Sequence, residues 1–402
     1  MTTAPDRLPP LVAPGPELDP EERTRYSRHL LLDAVGEEGQ RRLRAARVLV
    51  VGAGGLGSPV LLYLAGAGVG RITVVDDDDV DLGNLQRQVV HSEATVGRPK
   101  ADSAAERVAG LSSAVHVEAV RARVDETTVT GLVEGHDVVV DGSDNFATRY
   151  LVSDACEMAC VPLVWGTLDR FRAQLSVFWS APPAPFAPVT LRDLYPTPPA
   201  PGTVPTCAEA GVVGALCGQV GSMLALETVK LVTGAGRSLF GRLLLVDSLE
   251  ATTRSVTVRP DPDRAPVTSL APAAGVSCEV PAGDDRDGDV PEVDARTLDA
   301  ELRSERPPLL LDVRSAGERA IAAIEPSLWI PLDSVAEDAA DPTGRLRREL
   351  AEGRPLVVYC KGGVRSARAV REIRDRGVAD VRSLGGGIDA WTREVDPTLP
   401  GY

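Results

Sequence analysis

Val48-Leu-Val-Val-Gly52-Ala-Gly54-Gly55-Leu-Gly57 is the stretch on which the reading of this 402-residue chain turns. Its four leading apolar residues have the pattern of a buried parallel strand. A G-x-G-x-x-G turn follows, and Ser58-Pro59 opens a helix where the missing proline N–H is no loss. Gly52, Gly54 and Gly55 let the backbone approach a phosphate closely, and the helix N-terminus adds unpaired N–H groups and partial positive charge. A second strand, Arg71-Ile-Thr-Val-Val75, ends at Asp76. That is about 20 residues beyond the turn, where a carboxylate can hold a ribose hydroxyl. The pattern predicts a nucleotide site and leaves the nucleotide open.

Composition narrows the class. Asp and Glu total 58 against 43 Lys and Arg, a net charge of −15, which speaks against nucleic-acid binding. The N-terminus lacks the basic and apolar regions of a signal peptide, and no apolar run approaches the roughly 18 residues of a membrane span. The six cysteines form no C-x-x-C pair, as expected in a reducing cytoplasm. A cytoplasmic enzyme is the leading expectation.

Along the chain, residues 1–18 hold five prolines and read as a flexible tail. Residues 19–260 read as one α/β domain: a helical stretch over 19–44, strands at 48–51, 71–75, 115–120 and 137–141, and helices near 58–68, 100–109, 148–159 and 214–231. Nine prolines between Ala181 and Pro205 predict a stiff surface loop that delivers Cys207. Residues 261–293, rich in Pro, Gly, Ala and Asp, read as a linker. A second, smaller α/β domain is expected over 294–402.

Around the nucleotide loop, Asp76, Arg87, Lys100 and Asp144 converge on one sheet edge in this reading. Arg87 and Lys100 could neutralise phosphates and Asp144 could hold Mg²⁺, the equipment of nucleotidyl transfer rather than hydride transfer. Each has a plainer alternative: a solvated cation, or for Asp144 an N-cap. A nicotinamide or flavin dehydrogenase and a non-catalytic binding module remain as rivals.

Arg25-Tyr-Ser-Arg28, Gly52-Ala-Gly-Gly-Leu-Gly57, Asn84-Leu-Gln-Arg87-Gln88, Asp144-Asn145 and Cys207-Ala-Glu-Ala-Gly211 together resemble the ubiquitin-activating E1 superfamily, in its MoeB/ThiF branch. With the second domain, the whole resembles the MoeZ type. The resemblance implies a Rossmann-like adenylation domain followed by a rhodanese domain. It implies that Gly52, Gly54, Gly55, Asp76, Asn84, Arg87, Gln88, Lys100, Asp144 and Asn145 bind ATP and Mg²⁺, and that Arg28 serves the partner's site across a homodimer. The substrate implied is the C-terminal Gly-Gly of a ubiquitin-like sulfur carrier protein. Many relatives hold a zinc with two C-x-x-C pairs; the matching segments here, about 185–189 and 259–264, have no cysteine. No zinc is expected, and prolines and packing are expected to stiffen that loop.

Of the cysteines, Cys360 opens Cys360-Lys-Gly-Gly-Val-Arg365 after an apolar strand. Loop N–H groups, a helix N-terminus and Arg365 could all stabilise a thiolate or persulfide there. With Asp312-Val-Arg314 and Gly386-Gly-Ile-Asp-Ala-Trp391, the domain resembles a rhodanese, which implies that Cys360 takes sulfur from thiosulfate or a cysteine desulfurase. The family's usual turn histidine is missing at Ala322-Ala-Ile-Glu-Pro326. Cys207 falls where relatives have a reactive cysteine, and its alternative is an ordinary loop thiol.

Overall fold

The computed structural model describes residues 7–199, 211–270, 290–351 and 353–401. The chain forms two compact units, Met1–Val276 and Ser277–Tyr402.

The first unit is built on an eight-stranded sheet. Its strands are β1 Arg47–Val51, β2 Arg71–Val75, β3 His116–Val120, β4 Val138–Asp141, β5 Leu163–Asp169, β6 Arg172–Phe178, β7 Arg242–Asp247 and β8 Thr252–Thr257, in the order β3-β2-β1-β4-β5-β6-β7-β8. From β3 to β5 all pairs are parallel, and β5 to β8 pair antiparallel. Val48–Val51, Ile72, Val74, Val75 and Val138–Val140 are buried, as strands covered by helices on both faces require. The strand order reverses between β1 and β4. Val51 stands level with both Val75 and Asp141, so Gly52, Asp76 and Gly142 emerge side by side at the crevice where open α/β sheets take ligands.

Two glycines make this edge possible. A Cβ on Gly57 would lie 1.9 Å from the Gly52 carbonyl oxygen, and one on Gly221 would lie 2.6 Å from that of Leu56. The second contact seats the helix Gly214–Thr233 against the start of the helix Gly57–Gly66. Gly214–Thr233 is long and apolar enough to cross a membrane, contrary to the reading from composition. It is nevertheless a core helix, with Leu216, Val220, Leu224 and Leu231 buried in the first unit.

The N-terminal region departs from expectation. Residues 7–18 were expected to be flexible, yet Leu8, Val12 and Leu18 are buried. Leu11 N–H donates to Leu231 O at 3.0 Å and Gly15 N–H to Arg41 O at 3.1 Å. The helix expected over 19–44 is three pieces, Pro20–Arg25, Ser27–Leu30 and Gly36–Ala45. The first break turns Tyr26 inward to fill the space beside Gly68, and the second uses Gly36 at φ +58°.

The second unit is a five-stranded parallel sheet of β9 Glu292–Val293, β10 Leu309–Asp312, β11 Leu328–Trp329, β12 Leu356–Tyr359 and β13 Val381–Leu384, ordered β11-β10-β12-β13-β9. Glu292 and Val293, expected to be linker, thus belong to this sheet. At its centre Asp312 and Arg314 form a fully buried pair, 2.7 Å apart. Arg314 also donates to Ala322 O at 2.8 Å, and the Tyr359 hydroxyl donates to Asp312 at 3.0 Å. These bonds hold the turn that lacks its histidine.

Candidate functional site

The loop after β1 is anchored through Ala53, whose N–H donates to Asp76 Oδ2 at 2.8 Å. Asp76 Oδ1 accepts from Asp78 N–H at 2.9 Å. Burial pushes the Asp76 carboxyl upward, opposed by the Lys100 ammonium and these two N–H groups. Lys100 is buried and donates from Nζ to Asp78 Oδ2 at 2.6 Å. Arg87 lies against Gly55, its Cγ 3.6 Å from where a Cβ would stand, and its guanidinium donates to Gly83 O. Gln88 is buried beside Gly54, with Oε1 lacking a hydrogen-bond partner among the described residues. Asn84 belongs to the same turn, its carbonyl accepting from Gln88 N–H at 2.9 Å. The structure therefore brings together Gly52, Gly54, Gly55, Asp76, Asn84, Arg87, Gln88 and Lys100.

Beyond β4, Asp144 is exposed at the same sheet edge. The cap of the helix Phe146–Ala159 is Asn145, which accepts from Thr148 N–H at 2.9 Å, so the plainer reading of Asp144 as that cap does not hold. Asp141 is fully buried behind it; burial pushes its carboxyl upward, countered by Arg149 and the Ser143 hydroxyl and N–H. Arg28 is exposed on the short helix Ser27–Leu30, just after Tyr26. Tyr26 packs on Gly68, beyond the far end of the ten-residue helix Gly57–Gly66, about 15 Å along its axis from the loop. Cys207 lies outside the described residues.

Of the segments matching the relatives' zinc pairs, 185–189 is held by packing, with Val189 and Val258 in one buried cluster, and 259–264 is held by ion pairs to Glu157 and Asp193. Asp193, in the short helix Leu191–Leu194, accepts from Arg264 Nε at 3.1 Å and from Asp261 N–H at 3.0 Å. Arg264 also reaches Glu157, which accepts Val267 N–H at 3.0 Å. Residues 261–267 are thus tied to the first unit, where a linker was expected. Residues 185–189 carry no metal-ligating side chain and 259–264 no thiolate or imidazole, so these segments do not fit a tetrahedral zinc.

In the second unit Cys360 is buried at the end of β12, and Gly363 N–H donates to its Sγ at 3.1 Å. Ser366 Oγ lies 3.4 Å from the sulfur. Arg365, expected to stabilise the thiolate, forks onto Glu318 at 2.9 and 2.6 Å, and Lys361 pairs with Asp389 at 3.0 Å. Burial works to raise the Glu318 carboxyl, yet the Arg365 fork and the Ser315 N–H and hydroxyl bring it down to about 2. Backbone geometry and Ser366 surround the sulfur while carboxylates engage the loop's cations.

Two side chains escaped the sequence reading. His91 is buried behind the glycine loop, with Nε2 3.0 Å from Ala53 O. Cys217 Sγ lies 3.0 Å from where a Gly55 Cβ would stand. Neither has a local motif; only their placement on separate elements behind one loop marks them.

Fold and site define a nucleotide-binding α/β unit followed by a cysteine-loop α/β unit. The ThiF family matches residues 26–267, and the rhodanese-like domain matches 294–394. The chain is 44% identical, over 98% of its length and 99% of the relative's, to "Probable adenylyltransferase/sulfurtransferase MoeZ" of Mycobacterium tuberculosis. It is 51% identical over 61% of its length to the "SAMP-activating enzyme E1" of Haloferax volcanii, spanning 89% of that protein. Among solved structures, E. coli MccB is similar in fold, with a TM-score of 0.52 and 20% identity over 62% of this chain and 75% of that one. The chain belongs to the ThiF family, as an enzyme that joins an adenylyltransferase to a rhodanese-type sulfurtransferase.

Proposed function

We propose that this enzyme adenylates the C-terminal glycine of a ubiquitin-like sulfur carrier protein and then exchanges the AMP for sulfur carried on Cys360. The carrier's carboxylate attacks the α-phosphate of MgATP, pyrophosphate leaves, and an acyl-adenylate forms. An attack of anion on anion needs cations on both, the work assigned to Arg87 and Lys100. Asp76 would hold the ribose, and Asn84, Gln88 and Asn145 would complete the nucleotide cradle. Asp144, an exposed carboxylate at the strand edge, suits the Mg²⁺ that arrives with ATP. Arg28, exposed on its short helix, would serve the site of the second subunit in a homodimer.

Thiosulfate or a cysteine desulfurase would load Cys360 as a persulfide. The outer persulfide sulfur attacks the acyl carbon and AMP leaves, giving an acyl disulfide on Cys360. A thiol reductant then cleaves its S–S bond, is itself oxidised to a disulfide, and frees the carrier thiocarboxylate. Cys207 is assigned a covalent part in that exchange. No zinc takes part in this scheme.

The observation that carries the reading is that buried Lys100, joined through Asp78 to Asp76, and Arg87, packed on Gly55, both border one glycine loop, a charge arrangement suited to a polyphosphate. The test is to incubate the enzyme with MgATP, a Gly-Gly-ended carrier, thiosulfate and a thiol reductant. Pyrophosphate release and a carrier mass in which one sulfur replaces one oxygen are expected. Release of neither pyrophosphate nor AMP with any β-grasp carrier would overturn the proposal.

A further inference from the structure

The Ala53 peptide is held from both sides. Its N–H donates to Asp76 Oδ2 at 2.8 Å, and its carbonyl accepts from His91 Nε2 at 3.0 Å. On the other side of the ring, Nδ1 lies 2.9 Å from Ser103 Oγ. A carbonyl only accepts, so Nε2 carries the proton, and the neutral ring's Nδ1 then accepts from the Ser103 hydroxyl. Burial, with Lys100 adding to it, favours that neutral ring, although the bond to Ala53 works the other way. Without His91, the Ala53 carbonyl would keep, among the described residues, only Ser58 Oγ, 3.4 Å away.

Peptide planarity turns this into a statement about the site. The Ala53 carbonyl and the Gly54 N–H belong to one trans peptide and point in opposite directions. Fixing the carbonyl back onto His91 therefore fixes the Gly54 N–H outward. Ser103 also sits one turn beyond Lys100 in the helix Lys100–Leu111. Lys100 returns through Asp78 to Asp76 and Ala53, closing a ring of hydrogen bonds.

We infer that His91 is a positioning residue for the adenylation step. By holding the Ala53 carbonyl it aims the Gly54 N–H at a phosphate of ATP, and through Ser103 it sets the distance from that N–H to Lys100. This rests on the reading of the glycine loop as the ATP site.

The test is calorimetric titration of the full chain with a non-hydrolysable ATP analogue plus Mg²⁺, and separately with adenosine. His91→Phe fills the ring's space without its hydrogen bonds. It should weaken the ATP analogue about tenfold, the loss of one well-placed bond to a charged group, and leave adenosine within about twofold. His91→Gln, which can still donate to the Ala53 carbonyl, should restore most of the affinity. Ser103→Ala should cost about threefold and add little to His91→Phe, because both act through one ring. Equal weakening of adenosine and the analogue, or unchanged binding of both, would overturn the inference. Should His91→Phe not fold, Ser103→Ala decides on the same criterion. A wild-type chain that binds no ATP analogue would instead overturn the assignment of the loop beneath it.

Discussion

Arg264 donates from Nη1 to both carboxylate oxygens of Glu157, at 3.0 and 3.2 Å, across 107 positions of the chain. The same guanidinium reaches Asp193, whose carboxylate also accepts from the Thr190 N–H and hydroxyl. Both carboxylates are almost wholly covered, so removing the guanidinium strands two buried charges, at a cost on the order of 3 kcal/mol. Arg264→Ala should lower the melting temperature of the first unit by about 6–12 °C. Exhaustive chelation of the wild-type chain should leave it unmoved. A chelator-sensitive melting curve would mean that a metal, not this clamp, ties the segments together.

Arg87 and Asp144 can be separated from the fold because neither is deeply buried. Arg87→Ala should slow carrier-dependent ATP–pyrophosphate exchange by about 10²-fold, the usual effect of removing one donor aimed at developing charge, with the melting curve unchanged. Asp144→Ala should raise the Mg²⁺ concentration needed for half-maximal exchange. Unaltered Mg²⁺ dependence would remove Asp144 from its assigned role.

Cys360 has the Gly363 N–H 3.1 Å from its sulfur, and the proposed function makes that sulfur the atom to be loaded. Cys360→Ser should abolish formation of the carrier thiocarboxylate while leaving pyrophosphate release at the wild-type rate. Mass spectrometry of the carrier and a pyrophosphate assay on the same sample check both halves. Thiocarboxylate formed by the serine variant would place sulfur transfer elsewhere.

Glu318 gives the second unit an acid limit. Its folded carboxyl titrates at about 2, below its ordinary 4.5, because Arg365 and Ser315 outweigh burial. The group binds protons more readily when unfolded, so its contribution is complete above about pH 5 and is lost as pH falls through 2. Discounted for the partly exposed Arg365, the contribution is about 2 kcal/mol. The stability gap between wild type and Glu318→Gln, followed by urea unfolding of the full chain, should therefore close as pH drops from 5 toward 2. A gap independent of pH would show that the ion pair does not supply it.

The two units and the nucleotide loop were legible because glycine spacing, apolar runs and chain direction are properties of neighbouring residues. Gly52, Asp76 and Cys360 occupy the strand ends where that local pattern puts them. The short strands β9 and β13 were not legible: two to four residues carry too little periodicity, and their pairing partners decide them. Nor could the break at Tyr26 be read, since it depends on the space beside Gly68.

Partner choice belonged to the tertiary structure throughout. Asn145 rather than Asp144 caps its helix, Arg365 closes on Glu318, and Arg264 closes on Glu157 and Asp193. Most of these bonds join residues far apart in sequence. Hydrogen bonds and ion pairs act over a few ångströms of space, so packing selects which of several competent side chains meet. Residue order determined which chemistry was on hand, and the folded chain determined which groups became neighbours.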